Sequence, residues 1–84
     1  MTKNELLQRI IDENLQLGDY DLEFEKITDA SYVMGCCYED GAWKIFKTKE
    51  RSGHYIIKEF TNESDAFDYF YELVLIQHRY RNGE

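Results

Sequence analysis

Apolar residues first recur at helical spacing. Leu6, Leu7, Ile10, Ile11 and Leu15 stand three and four apart, which predicts one apolar stripe on a helix from about Lys3 to Leu15. Thr2 and Glu5 have the spacing of a capping box, and Gly18 is placed to end the helix. From Tyr20 the period changes to two. Leu22 and Phe24 alternate with Asp21, Glu23 and Glu25, which suits a short edge strand with an acidic outer face, or equally an extended loop. Ser31 to Glu39, rich in Tyr, Val and Cys, predicts a strand. Asp40-Gly41 then predicts a type I′ hairpin turn, and Ala42 to Lys49 returns antiparallel. A two-residue turn sets the register, pairing Tyr38 with Trp43 and Cys36 with Ile45. Arg51-Ser52-Gly53 reads as a second turn and His54 to Phe60 as a third strand.

A second helix follows Thr61 or Asn62 and runs to about Tyr80. Glu63, Asp65 and Asp68 stand near its positive end, Arg79 and Arg81 near its negative end, and Asn82-Gly83 stops it. Ala66, Phe67, Phe70, Leu73, Val74 and Gln77 share one face. Tyr69, Leu75, Ile76 and Tyr80 spill beyond it, so this helix should be the more buried of the two. The expected fold is therefore α+β: an N-terminal helix, a three- to four-stranded antiparallel meander sheet and a C-terminal helix, with the helices packed on the sheet. Trp43 and Phe70 are expected in the core.

Composition narrows the classes of function. Eighty-four residues, with no proline and no low-complexity run, make a single domain over 1–84. Seventeen acids against ten bases give a net charge of −7, which disfavours nucleic acid and anionic membrane as partners. The charge is unevenly spread. Residues 1–40 carry ten acids and three bases, whereas 41–84 carry seven of each. Cys36 and Cys37 are adjacent and so badly placed for a mutual disulfide; they read as two reduced, small hydrophobic residues. With neither a signal-peptide run nor a membrane span, a cytoplasmic protein is expected.

Little points to catalysis. His54 and His78 have no Ser, Cys or Asp partner at a motif spacing, and there is no phosphate loop or zinc signature. Neither enzyme activity nor a cofactor or metal is expected. The series Asp19, Asp21, Glu23, Glu25 superficially matches a calcium loop, but Phe24 and Ala30 stand where an EF-hand needs glycine and glutamate. Residues 12–29 nevertheless hold seven acids against Lys26 alone. Such a run is either a solvated face that keeps the protein soluble or a surface for a basic partner. Single-sign clustering and the interleaved Tyr20 and Phe24 favour the second. The candidate partner-binding residues are Asp19, Tyr20, Asp21, Glu23 and Glu25, with Glu39 and Asp40 at the hairpin tip as a second patch.

Trp43-Lys-Ile-Phe, then Glu50-Arg51 and Gly53, then Phe60-Thr-Asn-Glu63-Ser-Asp-Ala66-Phe-Asp-Tyr69-Phe70 resembles the C-terminal half of small immunity proteins from bacterial polymorphic-toxin and contact-dependent inhibition systems. Ser52 separates Arg51 from Gly53 where that pattern has glycine directly after arginine. The resemblance implies a cytoplasmic, noncatalytic antidote that binds one cognate toxin domain, commonly a basic nuclease. A monomer or weak homodimer is expected, because an exposed edge strand could pair two copies while its acidic side chains oppose it. A small acidic regulatory or adaptor protein, or a nucleic-acid mimic, is the alternative that the acidic run also allows.

Overall fold

The computed structural model of the chain describes residues 1–50 and 53–81. Its order is α1 (Lys3–Asp12), β1 (Asp21–Glu23), β2 (Val33–Glu39), β3 (Ala42–Thr48), β4 (His54–Phe60) and α2 (Glu63–Arg81). The α+β class and the helix–sheet–helix order are as the sequence predicts.

The capping box forms: Thr2 Oγ1 accepts from the Glu5 N–H at 3.2 Å, and the Glu5 carboxylate accepts from the Thr2 N–H at 2.9 Å. The helix stops three residues short of Leu15. Asn14 takes a left-handed φ of 50° there, and Leu15 folds back to donate its N–H to Ile10 O at 3.0 Å. Asn14 thus does what Gly18 was expected to do, since a short polar side chain tolerates the left-handed region. Leu15 still reaches the core with Leu6, while Ile11 is left exposed.

The strands lie in the order β1-β2-β3-β4. Strands β2, β3 and β4 form the expected antiparallel meander, with Tyr38 opposite Trp43 and Cys36 opposite Ile45. Asp40 and Gly41 hold φ of 53° and 81°, the positive values that a type I′ turn requires. The sheet is mixed, however: β1 runs parallel to β2, with Asp21, Leu22 and Glu23 opposite Val33, Met34 and Gly35. A parallel neighbour must be reached by crossing back over the sheet, commonly through a helix. Here residues 24–32 make that crossing without one, which a period-two pattern gives no means of foreseeing.

The crossing covers the second face of the sheet. On the first face Met34, Cys36 and Ile45 pack with Leu6, Leu15, Ala66, Phe67, Phe70 and Val74. Helix α2 lies against β2, β3 and β4, and α1 rests on α2. On the opposite face Val33, Cys37 and Phe46 form a smaller cluster, closed by Ile27 from the crossing. Thr48, buried, ties the crossing's end to β3 by accepting the Val33 N–H at 2.7 Å. Phe70 is fully buried as expected, whereas Trp43 is half-buried at the core margin, edge-to-face with Phe67 at 5.7 Å. Asn62 caps α2, its Oδ1 accepting from the Asp65 N–H at 2.8 Å. The expected turn residues Arg51 and Ser52, and the helix stop at Asn82-Gly83, lie outside the described residues. No described helix is long and apolar enough to cross a membrane.

Candidate functional site

The acidic run does not form one continuous patch. Asp12 accepts from the Gln8 side chain at 2.8 Å within α1, and Glu13 accepts from the Tyr71 hydroxyl of α2, so both serve the packing of the helices. Asp29 accepts from both the His54 backbone N–H, at 2.9 Å, and the His54 ring. The ring bond first, and then the backbone bond, hold its carboxyl below the usual range. It thereby fastens the crossing to the start of β4.

Glu23 has a structural task as well. Its carboxylate accepts from the Glu25 N–H at 2.8 Å and the Lys26 N–H at 3.3 Å, closing the turn that lifts the chain off β1. Those bonds, Glu25 first, lower its pKa. Glu25 is exposed and pairs loosely with Lys3 at 3.7 Å. At the hairpin tip, Glu39 and Asp40 both approach Lys44, at 3.9 and 3.8 Å. Among the described residues, Asp19 and Asp21 have neither an ion pair nor a side-chain hydrogen bond.

Register nevertheless puts part of the two candidate patches on one face, at opposite ends of β2. Asp21 and Glu23 stand opposite Val33 and Gly35, and residues 33, 35, 37 and 39 alternate onto the face turned away from the helices. Glu39 therefore shares a face with Asp21 and Glu23. Cys37 lies buried beneath them, its thiol pushed up to about 11 by burial first, and then by Glu39, Glu23 and Glu25 against the opposing Lys44. This face can attract a cation and cannot readily host an anion.

Asp19 and Tyr20 belong elsewhere. They border a hollow of about 310 Å³ at the C-terminal end of α2, lined also by Gly18, Tyr32, Gln77 and Tyr80. Tyr20 and Tyr32 meet edge-to-face at 5.7 Å. Tyr32, which also lines the hollow, holds a φ of 56°, rare for a bulky side chain. Lys47 sits next door. Its Nζ lies 4.6 Å from the centre of the Tyr20 ring and donates to Gln77 Oε1 at 3.4 Å, and burial lowers its pKa.

The sequence pattern did not single out Tyr32, Lys47, Gln77 or Tyr80 as site residues. The one signal was that Tyr80 falls outside the apolar stripe of α2. Lys47 stands two residues after Ile45, and its register partner is Met34 on the helix side of the sheet. Among the described residues, no group of three or more His, Cys, Asp or Glu is placed to hold a metal ion. Comparison with protein-family models, with curated proteins and with solved structures finds no match.

Proposed function

We propose that the chain is a noncatalytic binding protein that receives a basic protein on the acidic surface flanking β1. The partner proposed is a cognate toxin domain neutralised in the cytoplasm, the role of an immunity protein. One observation carries the first part: Asp21, Glu23 and Glu39, from stretches separated in sequence, share one sheet face against Lys44 alone among the bases of the paired strand segments. A face kept for solubility would mix signs, whereas single-sign convergence speeds encounter with an oppositely charged surface. The toxin reading rests on the resemblance of residues 43–75 and on the basic active surfaces common among nucleases.

Affinity capture with the tagged protein from its own cells tests the proposal. The expected catch is one basic protein in stoichiometric amount, released by salt and lost with the double variant Asp21→Lys, Glu39→Lys. Those positions are chosen because neither holds the backbone, whereas Glu23→Lys would also break the turn after β1. Co-expression then separates an antidote from an adaptor: an antidote restores growth to cells making the captured protein. Recovery of an acidic or neutral protein that ignores the double variant would sink the proposal.

A further inference from the structure

The hollow beside β1 has the composition of a receptor for a cation. Tyr20, Tyr32 and Tyr80 supply three aromatic rings, whose faces carry partial negative charge and attract ammonium or guanidinium groups. Asp19 adds a carboxylate with no ion-pair partner among the described residues, while the Gln77 amide oxygen already accepts from Lys47. About 310 Å³ is enough for one long side chain and lies at the bottom of the ~300–1,000 Å³ range of small-molecule sites. The fold already uses this chemistry nearby, since Lys47 seats its own ammonium over Tyr20. Lys47 lines the two adjoining hollows but not this one.

We infer that this hollow anchors an arginine or lysine side chain of the basic partner protein, with the Tyr20, Tyr32 and Tyr80 rings around its charged head and Asp19 paired to it. The inference rests on the proposed reading that a basic protein docks beside β1, and it adds an anchor point at the α2 end, off the face that carries Asp21 and Glu39. Arginine suits it better than lysine, because a planar guanidinium stacks on a ring while donating sideways to the Asp19 carboxylate. Occupancy by an anion is disfavoured by Asp19 and by the net charge of −7. Lys47 opposes the incoming cation, so its charge is a built-in brake on affinity.

The test needs no partner. Isotope-labelled protein is titrated with N-acetyl-arginine amide and, separately, with its neutral isostere N-acetyl-citrulline amide, and amide shifts are followed by NMR. Saturable shifts at Gly18, Tyr32 and the Gln77 side chain are expected with a millimolar dissociation constant, and citrulline should bind about tenfold more weakly. Asp19→Asn should weaken arginine binding about two- to fivefold with the melting temperature unchanged, because Asp19 is exposed. Lys47→Met should tighten it. Equal response to arginine and citrulline, or shifts confined to the β2–β3 hairpin, would overturn the inference. The two proposals also fail separately. Saturable arginine binding in a chain that captures no basic protein would remove the proposed function and leave the hollow. A captured basic protein indifferent to Asp19→Asn and Tyr80→Ala would do the reverse.

Discussion

Gly35→Ala is the sharpest structural perturbation available. Gly35 sits on β2 opposite Phe46, whose ring fills the space where a Cβ would stand, and β1 passes alongside. A Cβ built there would stand 2.1 and 2.4 Å from Phe46 Cε1 and Cζ, and 2.8 Å from the Glu23 carbonyl oxygen. Ordinary carbon contacts are about 3.5–4.0 Å, so the ring must retreat by more than an ångström. It has no room to do so, being fully buried with Val33, Cys37 and Ile27. Inserting one carbon into a closed cluster costs about 1–3 kcal/mol, and the upper end applies because β1's backbone must move too. Stiffening the unfolded chain returns about 0.4–1 kcal/mol, which leaves a net loss of about 2 kcal/mol. For a domain of this size that is a fall in melting temperature of roughly 8–16 °C, measured by circular dichroism. Adding Phe46→Leu should recover part of the loss, because the colliding ring atoms are gone, so the two changes would be non-additive. A variant melting within about 2 °C of the parent, or strictly additive losses, would refute the packing described for the second face.

Other outcomes follow from single contacts. Phe70→Ala should cost about 3–5 kcal/mol in urea unfolding, since the ring is fully buried among the α2 and sheet residues of the main core. Thr48→Val keeps the shape but strands the buried Val33 N–H, so a loss of about 1–3 kcal/mol is expected from the same assay. Burial raises both thiols, Cys36 from 9.0 to about 12 and Cys37 from 9.0 to about 11. The unfolded chain therefore releases these protons first, and stability should fall as pH rises from about 9 to 11, by about 1.4 kcal/mol per unit for each thiol. Unfolding free energies equal at pH 8 and pH 10 would contradict that, as would rapid modification of either thiol by Ellman's reagent in the native protein. Asp29→Asn should loosen the crossing, seen as faster hydrogen exchange at His54, because its carboxylate holds both the His54 amide and ring.

Much of the fold could be read from local chemistry, and the exceptions have physical causes. The β2–β3 hairpin was legible because Asp-Gly demands one turn type, and that turn fixes the register. Both helix starts were legible from Thr2, Glu5 and Asn62, whose side chains act on amides only a few residues away. The end of α1 was not. Gly18 is the stronger conformational signal, but Asn14 comes first and folding Leu15 into the core decides between them. The direction of β1 was hidden because alternation tells which side chains share a face and says nothing of strand polarity. The acidic run was visible as a charge excess, but its division was not. Asp12, Glu13, Glu23 and Asp29 are taken up by contacts reaching as far as α2 and β4, leaving Asp19 and Asp21 unengaged among the described residues. Tyr32 and Gln77 reach the hollow only through tertiary packing, so no spacing rule links them to Asp19.

The acidic surface flanking β1 is proposed to receive a basic protein. The most direct measurement is the association rate between this chain and the protein it captures, followed by stopped-flow mixing across a salt series. Electrostatic steering predicts a fall of about tenfold or more from low to physiological salt, with a flatter dependence for the Asp21→Lys, Glu39→Lys variant. A rate indifferent to salt, or the same slope in parent and variant, would contradict it.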